Sequence, residues 1–324
     1  MDLITFGIDT SCYYTSVCLM KNKEVVLDLR KKLVVKEGEC GLRQSDALFM
    51  HISKLPDLLK EAFSTYRSDI TGICVTSRPR NAEGSYMPVF RAASSFGKSI
   101  AHALLVDYKE ISHQDSHLAA GIYSCKREDL LNDEFIGLHI SGGTTELVHV
   151  KQFDMDSGTF SHDIIGGTRD LNAGQFVDRI GVSMGFPFPA GISLEKCAKN
   201  VELKCEEDVI LPVSVDGTYL SFSGPESAAR RLMGSVENAK LARAVELCIA
   251  RSLSEICFNA CVKYETKKLL IVGGVASNEI VKREITTFLK RKIEDVEILI
   301  ADLASASDNA IGSAYVMQIL KGNC

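Results

Sequence analysis

The sequence predicts an α/β fold made of two similar lobes with a cleft between them. Strand-like segments are followed by helical segments, and this order starts again near residue 135. Shifting the first segment by 130 positions aligns Gly7 with Gly137, Ser11 with Ser141 and Thr15 with Thr145. At 324 residues the chain is long enough for two cores. These observations predict a duplicated mixed β-sheet plus helices, although two unrelated hairpins would also give a short match.

The first half of the chain has the pattern of three strands followed by a helix, a strand and a second helix. Alternating apolar residues predict strands over 3–9, 15–20 and 25–33. Apolar residues at helical spacing predict a helix over 44–66. A short buried strand is predicted over 73–75 and a helix over 88–103, so the order is β-β-β-α-β-α.

The second half repeats strand, glycine turn and strand, and then alternates helices with strands. Its predicted elements are strands over 135–140 and 146–151, helices near 172–185 and over 238–264, a strand over 269–272, a helix over 277–291, a strand over 296–301 and a helix over 306–320. We expect a hinge within 120–134, where residues 126–129 (KRED) are charged.

Composition is typical of a water-soluble globular protein of the cytoplasm. A net charge of −5 argues against a uniformly basic nucleic-acid surface, and no DNA partner is expected. No apolar run approaches the roughly 20 residues of a membrane span, so no membrane association is expected. The eleven cysteines include no Cys-x-x-Cys pair and lie mostly in apolar segments, as reduced buried thiols do.

Two histidines, His113 and His117, are the first candidate site residues. On a helix, residues four apart share a face, so the two imidazoles can hold one metal ion if both are neutral. Further ligands must come from elsewhere in the chain. A chance pair of packed or exposed histidines is the alternative interpretation.

A glycine turn between two predicted strands is the second candidate site. Residues 140–145 (ISGGTT) contain Gly142 and Gly143, which permit positive φ and let backbone amides approach an anion. A plain hairpin turn would have the same residues. Further along, Gly273 and Gly274 follow a buried strand and precede a helix, which is a common nucleotide contact in α/β sheets.

Three more positions have a functional and a structural interpretation. Asp178, on a predicted helix, is placed to hold ribose hydroxyls or is simply exposed. Gly191 ends a proline-rich turn that could pack under a base. Asn278 and Asp308 each precede a helix, where they would serve as a nucleotide contact or metal ligand, or as an N-cap.

Taken in order, these segments resemble the motifs of the TsaD family, the tRNA threonylcarbamoyltransferases. The resemblance covers nearly the whole chain. The matching segments are residues 7–16 (GIDTSCYYTS) with the family's GIETSCDDTS, 113–120 with its metal motif, 141–145 with SGGHT, 173–179 with AxGEAFDK, 222–224 with FSG, 273–278 with GGVAAN, and 308–310 with TDNA.

The resemblance implies the two-lobed actin/sugar-kinase/Hsp70 (ASKHA) architecture. Residues 1–125 plus 302–324 would form the N-terminal lobe, and residues 126–301 the nucleotide-binding C-terminal lobe. His113, His117 and Asp308 would hold one divalent metal ion, Fe²⁺ or Zn²⁺, with Mg²⁺ as a third candidate. Such a ligand set leaves open positions on the metal.

The implied activity is metal-dependent transfer of a threonylcarbamoyl or carbamoyl group from an adenylate donor, threonylcarbamoyl-adenylate, to adenosine 37 of tRNA. Asp9 and Ser11 of the opening motif are the candidate catalytic residues. The candidates for contact with the adenine nucleotide are Ser141, Gly142, Gly143, Thr144, Asp178, Gly191, Gly273, Gly274 and Asn278. Expected partners are tRNA and a second subunit, in a homodimer or in a heterodimer with a TsaB-like paralogue.

The chain departs from the family pattern mainly in its first lobe. Tyr13 and Tyr14 stand where the family has paired aspartates, and Arg78 and Arg80 replace the glycines of a G-P-G loop. The arginines would grip a phosphate or be exposed. The alternative function is therefore a non-catalytic nucleotide-binding paralogue that acts as a scaffold or regulatory subunit. A metalloprotease is disfavoured because Gln114 occupies the place of the glutamate in a His-Glu-x-x-His motif.

Overall fold

A computed structural model describes residues 2–11, 13–35, 41–66, 69–201 and 209–322. The strands are β1 (Ile4–Asp9), β2 (Tyr14–Lys21), β3 (Glu24–Lys32), β4 (Ile70–Arg78), β5 (Asp107–Ser112), β6 (Phe135–Ile140), β7 (Thr145–Asp154), β8 (Thr159–Thr168), β9 (Val215–Asp216), β10 (Tyr219–Leu220), β11 (Lys268–Val272) and β12 (Glu297–Ile300). The α-helices are α1 (Gln44–Tyr66), α2 (Phe90–Leu104), α3 (His113–Cys125), α4 (Ala173–Ser183), α5 (Gly191–Lys199), α6 (Ser223–Leu232), α7 (Asn238–Lys263), α8 (Glu279–Lys292), α9 (Leu303–Ala306) and α10 (Ile311–Gly322).

The strands of the described residues form two mixed sheets with the same internal order. The first sheet runs β3-β2-β1-β4-β5, and the second contains β8-β7-β6-β11-β12, extended by β10 and β9. In both, the first three strands are antiparallel and the last two join in parallel. The duplicated mixed β-sheet predicted from the sequence is therefore confirmed.

The central strand of each sheet is buried on both faces. Every residue of β1 and of β6 is buried, as expected of strands that helices cover on both sides. Helices α1 and α2 pack on the outer face of the first sheet around Phe6 and Ile8. The long α7 covers the outer face of the second sheet, where its apolar residues pack with those of β6 and β11.

Helices α3 and α10 lie between the two sheets and hold them together. Helix α10 packs on β1 and β4, while α3 packs on β6 and β11, and one apolar cluster joins both helices to both sheets. The helices approach closely where Gly312 faces the Ser116 carbonyl: a Cβ atom at position 312 would lie 1.8 Å from that oxygen. Only glycine fits this crossing without moving a helix.

The structure differs from the sequence-based elements in several places. Strand β4 extends well beyond 73–75, and β5, β8, α5 and α6 were not predicted. The last helix does not start at residue 306 but is divided into α9 and α10. The division arises at Asn309, whose side-chain oxygen accepts from the Ile311 amide while its nitrogen donates to the Ser305 carbonyl.

The predicted lobe boundaries remain predictions. The strands of the first sheet lie within residues 4–112 and those of the second within 135–300, and α10 returns to the first sheet. Among the described residues, no helix is both long enough and apolar enough to serve as a membrane span.

Candidate metal and nucleotide site

The first turn of α3 places two histidines at the cleft. Strand β5 ends at Ser112, whose hydroxyl accepts from the Asp115 amide. The Asp115 carboxylate accepts in turn from the Ser112 backbone amide, so that the pair forms a capping box. This cap starts the helix at His113 and puts His117 on the same face, one turn later.

The structure brings the three predicted metal ligands together. The Nε2 atoms of His113 and His117 are 3.1 Å apart, and the Asp308 Oδ1 atom lies 3.7 Å and 3.6 Å from them. Two atoms that each bind a tetrahedral ion at about 2.1 Å lie about 3.4 Å apart. The spacing of the donor atoms therefore fits one divalent ion of the Fe²⁺ or Zn²⁺ type.

Asp9 and Ser11 lie behind His113 and do not line the cavity. The fully buried Asp9 carboxylate is 2.8 Å from His113 Nδ1, and its other oxygen accepts from the Ser11 hydroxyl at 2.6 Å. A carboxylate on Nδ1 fixes the tautomer that leaves Nε2 free for a metal. The two predicted catalytic residues are thus placed to orient a ligand.

Strong electrostatic coupling links the buried residues of this site. Burial opposes protonation of His113, but the carboxylates of Asp9 and Asp308 outweigh it and raise the pKa of His113 to about 10. Burial also opposes ionisation of Asp308, yet the two histidines hold its pKa well below the usual range. For His117, burial and the neighbouring His113 charge lower the pKa. The two carboxylates therefore favour one positive charge at His113, while burial and that charge disfavour a second one at His117.

The glycine turn lies across the same cavity, which has a volume of about 260 Å³. A hydrogen bond of 2.8 Å from the Ser141 amide to the Thr144 carbonyl closes the turn. Neither Gly142 nor Gly143 has a positive φ, contrary to what adjacent glycines suggested. A Cβ on either would meet open space, so their contribution is an unobstructed backbone facing the cavity.

Helix α4 begins against this turn. The Gly174 amide donates to the Ser141 carbonyl, and the Ala173 amide donates to the Thr145 hydroxyl. A Cβ at position 174 would lie 2.6 Å from the Gly142 Cα atom, so glycine is required for the approach. The first two amides of α4 therefore hold the glycine turn in place.

His139 is a candidate site residue that the sequence reasoning missed. It lines the cavity, its ring centroid is 4.4 Å from that of His117, and it is 3% exposed. Neither ring nitrogen has a hydrogen-bond partner among the described residues, and burial holds its pKa well below the usual value. The one available signal was its position at the end of a buried strand, two residues before the glycine turn.

An ion pair crosses the cavity between the two sheets. Arg80, in the loop after β4, lies 2.5 Å from a carboxylate oxygen of Glu146 on β7. The other Glu146 oxygen accepts from the Gln114 side chain at 3.1 Å. Arg78, by contrast, donates to Asn81 at 2.7 Å and does not line the cavity. The two arginines, which the sequence could not tell apart, have different environments.

The remaining predicted nucleotide contacts lie outside the cavity. Asp178 accepts from the Ala190 amide at 2.7 Å and so holds the turn before Gly191. The Asn278 oxygen caps α8 by accepting from the Val281 amide, and its nitrogen donates to Glu246. Both polar side chains are therefore engaged in structural hydrogen bonds.

Gly273 and Gly274 occupy the turn after β11. Gly273 has a φ of 97° and packs against the Ile140 carbonyl at the end of β6, while Gly274 is exposed with open space around it. This turn is thus adjacent to the base of the glycine turn at residues 141–143, and a Cβ at position 273 would also lie 2.9 Å from the His139 ring.

Sequence comparisons relate most of the chain to one enzyme family. The model of the TsaD family, described as tRNA N6-adenosine threonylcarbamoyltransferase, matches residues 30–315. A curated relative of that name from Listeria welshimeri is 27% identical and aligns with 98% of this chain and 92% of its own. The enzyme of that name from Bacillus subtilis is 29% identical, with 99% and 92% covered.

Structural comparisons relate the chain to larger and similarly sized proteins. Full-length HypF, in a phosphate- and nucleotide-bound form, superposes with a TM-score of 0.61 at 14% identity over 99% of this chain, which spans 47% of HypF. Glucokinase from Balamuthia mandrillaris, in complex with glucose, gives a TM-score of 0.51 at 11% identity, with 99% and 94% covered. The chain spans about half the length of HypF. At these identities the likenesses show the fold alone, and the ASKHA architecture is confirmed.

Proposed function

The chain belongs to the TsaD family of transferases, and from this premise we propose that it is an active, metal-dependent enzyme. Its reaction is transfer of the threonylcarbamoyl group from threonylcarbamoyl-adenylate to N6 of adenosine 37 in tRNA. The observation that carries the proposal is the His113, His117 and Asp308 cluster, whose donor atoms all lie within 4.8 Å of one another beside the glycine turn.

The three side chains supply ligands for one divalent ion, and Fe²⁺ or Zn²⁺ suits them better than Mg²⁺. Imidazole nitrogen is a ligand that Fe²⁺ and Zn²⁺ accept readily, whereas Mg²⁺ prefers oxygen. An ion with open positions supplies Lewis acidity to the phosphate and carbamoyl oxygens of a bound donor.

Asp9 and Ser11 act as positioning residues in this proposal. Asp9 accepts from His113 Nδ1, and Ser11 holds Asp9 by its hydroxyl. Together they keep His113 Nε2 directed at the other two ligands, because a fixed Nδ1–H bond selects the tautomer and the ring orientation. Neither side chain needs to touch the donor.

The backbone of residues 141–143 binds the phosphate of the donor. These residues line the cavity and nothing obstructs their backbone, so an anion can approach it closely. In the transfer itself, N6 of the acceptor bonds to the carbamoyl carbon, the bond from that carbon to the phosphate oxygen breaks, AMP leaves, and the proton lost from N6 passes to solvent.

Partners complete the proposal. The tRNA acceptor implies activity in the cytoplasm, as the composition suggested. The proposed second subunit is a TsaB-like paralogue or a second copy of this chain. The net charge of −5 supports the need for help with tRNA from a second protein.

The test is single-turnover transfer from prepared threonylcarbamoyl-adenylate to unmodified tRNA by anaerobically purified protein of known metal content. We expect His113→Ala to lose bound metal and at least about 100-fold of the transfer rate, since a ligand of the Lewis acid is gone. His102→Ala is the matched control because His102 is exposed on α2. Full transfer by His113→Ala would sink the proposal.

The non-catalytic paralogue makes a different prediction in the same experiment. It would bind adenine nucleotide with equal affinity in the wild type and in His113→Ala, and it would give no transfer with either. The changed positions that line the cavity, Tyr13 and Arg80, favour this second function.

A further inference from the structure

Arg80 is the permanent cation of the cavity. Among the described residues that line the cavity, no other lysine or arginine is present, whereas Glu146 and Asp308 contribute two carboxylates. A donor that carries both a phosphate and an amino-acid carboxylate has two negative charges. Without Arg80, the part of the cavity away from the metal ligands would repel the second charge.

The Arg80 side chain is held in place but has unused donors. A guanidinium has five N–H groups. Among the described residues, the only acceptor near the Arg80 guanidinium is one oxygen of Glu146. The side chain of Arg80 is 42% exposed while that of Glu146 is 13% exposed. The remaining N–H groups of Arg80 are therefore open to the cavity and solvent.

The surroundings fix Arg80 before any ligand arrives. Its backbone amide donates to the Ser85 hydroxyl, and the neighbouring Pro79 carbonyl accepts from the Gln114 amide. Glu146 keeps a second hydrogen bond from the Gln114 side chain, so it is not left unpaired if Arg80 turns to a ligand. Such preorganisation reduces the entropy that binding must overcome.

Gln114 also connects the Arg80 ion pair to the helix that carries the two histidines. It directly follows His113 on α3 and bonds Glu146, which pairs with Arg80. Arg80 thus stands a short chain of contacts away from His113, across the same cavity. A planar guanidinium suits a planar carboxylate, which it can bind through two parallel hydrogen bonds.

We propose that Arg80 binds the carboxylate of the amino-acid part of the donor. It thereby selects an adenylate whose carbamoyl group carries an amino acid over an adenylate whose carbamoyl group carries none. The inference rests on the proposed adenylate donor. Arg80 is a specificity residue in this view, and the phosphate is left to the glycine turn and the metal site.

The experiment compares three probes by calorimetry with metal-loaded protein: AMP, and two hydrolysis-resistant adenylate analogues that end in threonine or in threoninol. The threoninol probe replaces the carboxylate by a hydroxymethyl group. For the wild type we expect the threonine probe to bind more tightly than the threoninol probe. In Arg80→Gln its affinity should fall about 10- to 100-fold, as expected for loss of a charge-assisted hydrogen bond.

Affinities for AMP and for the threoninol probe should stay within about two-fold of wild type in that variant. Arg80→Lys should recover part of the preference, because it keeps the charge without the planar fork. The matched control is Arg78→Gln, a change two positions away in a side chain that does not line the cavity. It should bind all three probes as the wild type does, and thermal unfolding of each variant checks its fold.

The other outcomes separate this inference from the proposed function. An equal loss of affinity for all three probes in Arg80→Gln would assign Arg80 to the phosphate or to holding the sheets together, and would overturn the inference. Unchanged binding of the threonine probe would overturn it as well. If the wild type binds none of the adenylates, the proposed function itself fails.

Discussion

Glu246 is a buried carboxyl group with one oxygen that has no partner among the described residues. Its other oxygen accepts from the Asn278 side chain at 2.8 Å, and the residue is 1% exposed. Burial raises the pKa of Glu246 to about 7, against a weaker opposing effect of the Asn278 hydrogen bond. The residue that caps α8 beside the glycine turn after β11 is thus held by an acid that titrates near neutrality.

This shift predicts a pH dependence of stability. Because the pKa of Glu246 is higher in the folded protein, its contribution is fully present below about pH 4.5 and is lost as pH rises through 7. The loss amounts to about 3 kcal/mol at most. We expect Glu246→Gln to be more stable than the wild type at pH 8, by about 1–3 kcal/mol, with a flatter profile between pH 5 and 8.

Urea unfolding at several pH values measures this difference. The exposed Glu294 provides the control, and Glu294→Gln should follow the wild-type profile. A Glu246→Gln profile parallel to that of the wild type would show that the carboxyl group is not the source of the pH dependence.

At the scale of residues, the sequence predicted the members of the site only where they are close together in the chain or belong to a recognisable motif. His113 and His117 are four positions apart, so their meeting follows from helix geometry. Glu146 and Arg80 are far apart in the chain and belong to different sheets. No local pattern indicates that they pair, and the same holds for the approach of His139 to His117.

At the scale of elements, the crossing of α3 and α10 positions the metal ligands. The two histidines lie in the first two turns of α3, and Asp308 lies in the short turn between α9 and α10, so any change in the distance between α3 and α10 changes the ligand spacing. The contact of Gly312 with the Ser116 carbonyl sets that distance.

Gly312→Ala should therefore weaken metal binding and stability together. The added Cβ would lie 1.8 Å from a backbone oxygen, so a helix has to move. Overpacking of this kind costs about 1–3 kcal/mol. Metal titration and denaturant unfolding measure the two effects. Gly322→Ala, in the same helix with open space around it, should change neither. Wild-type metal affinity in Gly312→Ala would contradict the role of the crossing.

The elements that the sequence predicted are the ones with strong apolar periodicity. Strand β6 and helix α1 were predicted with their observed limits, and α7 to within one residue, because each has a long apolar face. Strand β5 was missed because it is an edge strand of the first sheet with mostly polar, partly exposed residues. Strand β8 was missed for a similar reason: apolar and polar residues alternate only weakly along it, and two glycines lie near its end.

At the scale of the whole molecule, the metal ligands connect segments that are far apart in the chain. The histidine pair precedes the second sheet and Asp308 follows it. An ion bound only by the folded protein shifts the folding equilibrium by about 2.7 kcal/mol at a hundred times its Kd.

We therefore expect the Tm to rise with the concentration of Zn²⁺ or Fe²⁺, by about 5 °C at that excess, and to return on chelation. Differential scanning calorimetry at several metal concentrations measures the shift. His102→Ala should keep the dependence, because its side chain is exposed on α2. His117→Ala should lose it, and an unchanged shift in that variant would place the stabilising ion elsewhere.

Asp308 lies far along the chain from the two histidines, and this separation has a consequence for fragments of the protein. A chain cut within residues 126–134, between α3 and β6, leaves both histidines on one piece and Asp308 on the other. Each half would carry a complete sheet but an incomplete set of ligands. Retention of metal would then report reassembly of the two halves, as a split reporter does, without any fused label.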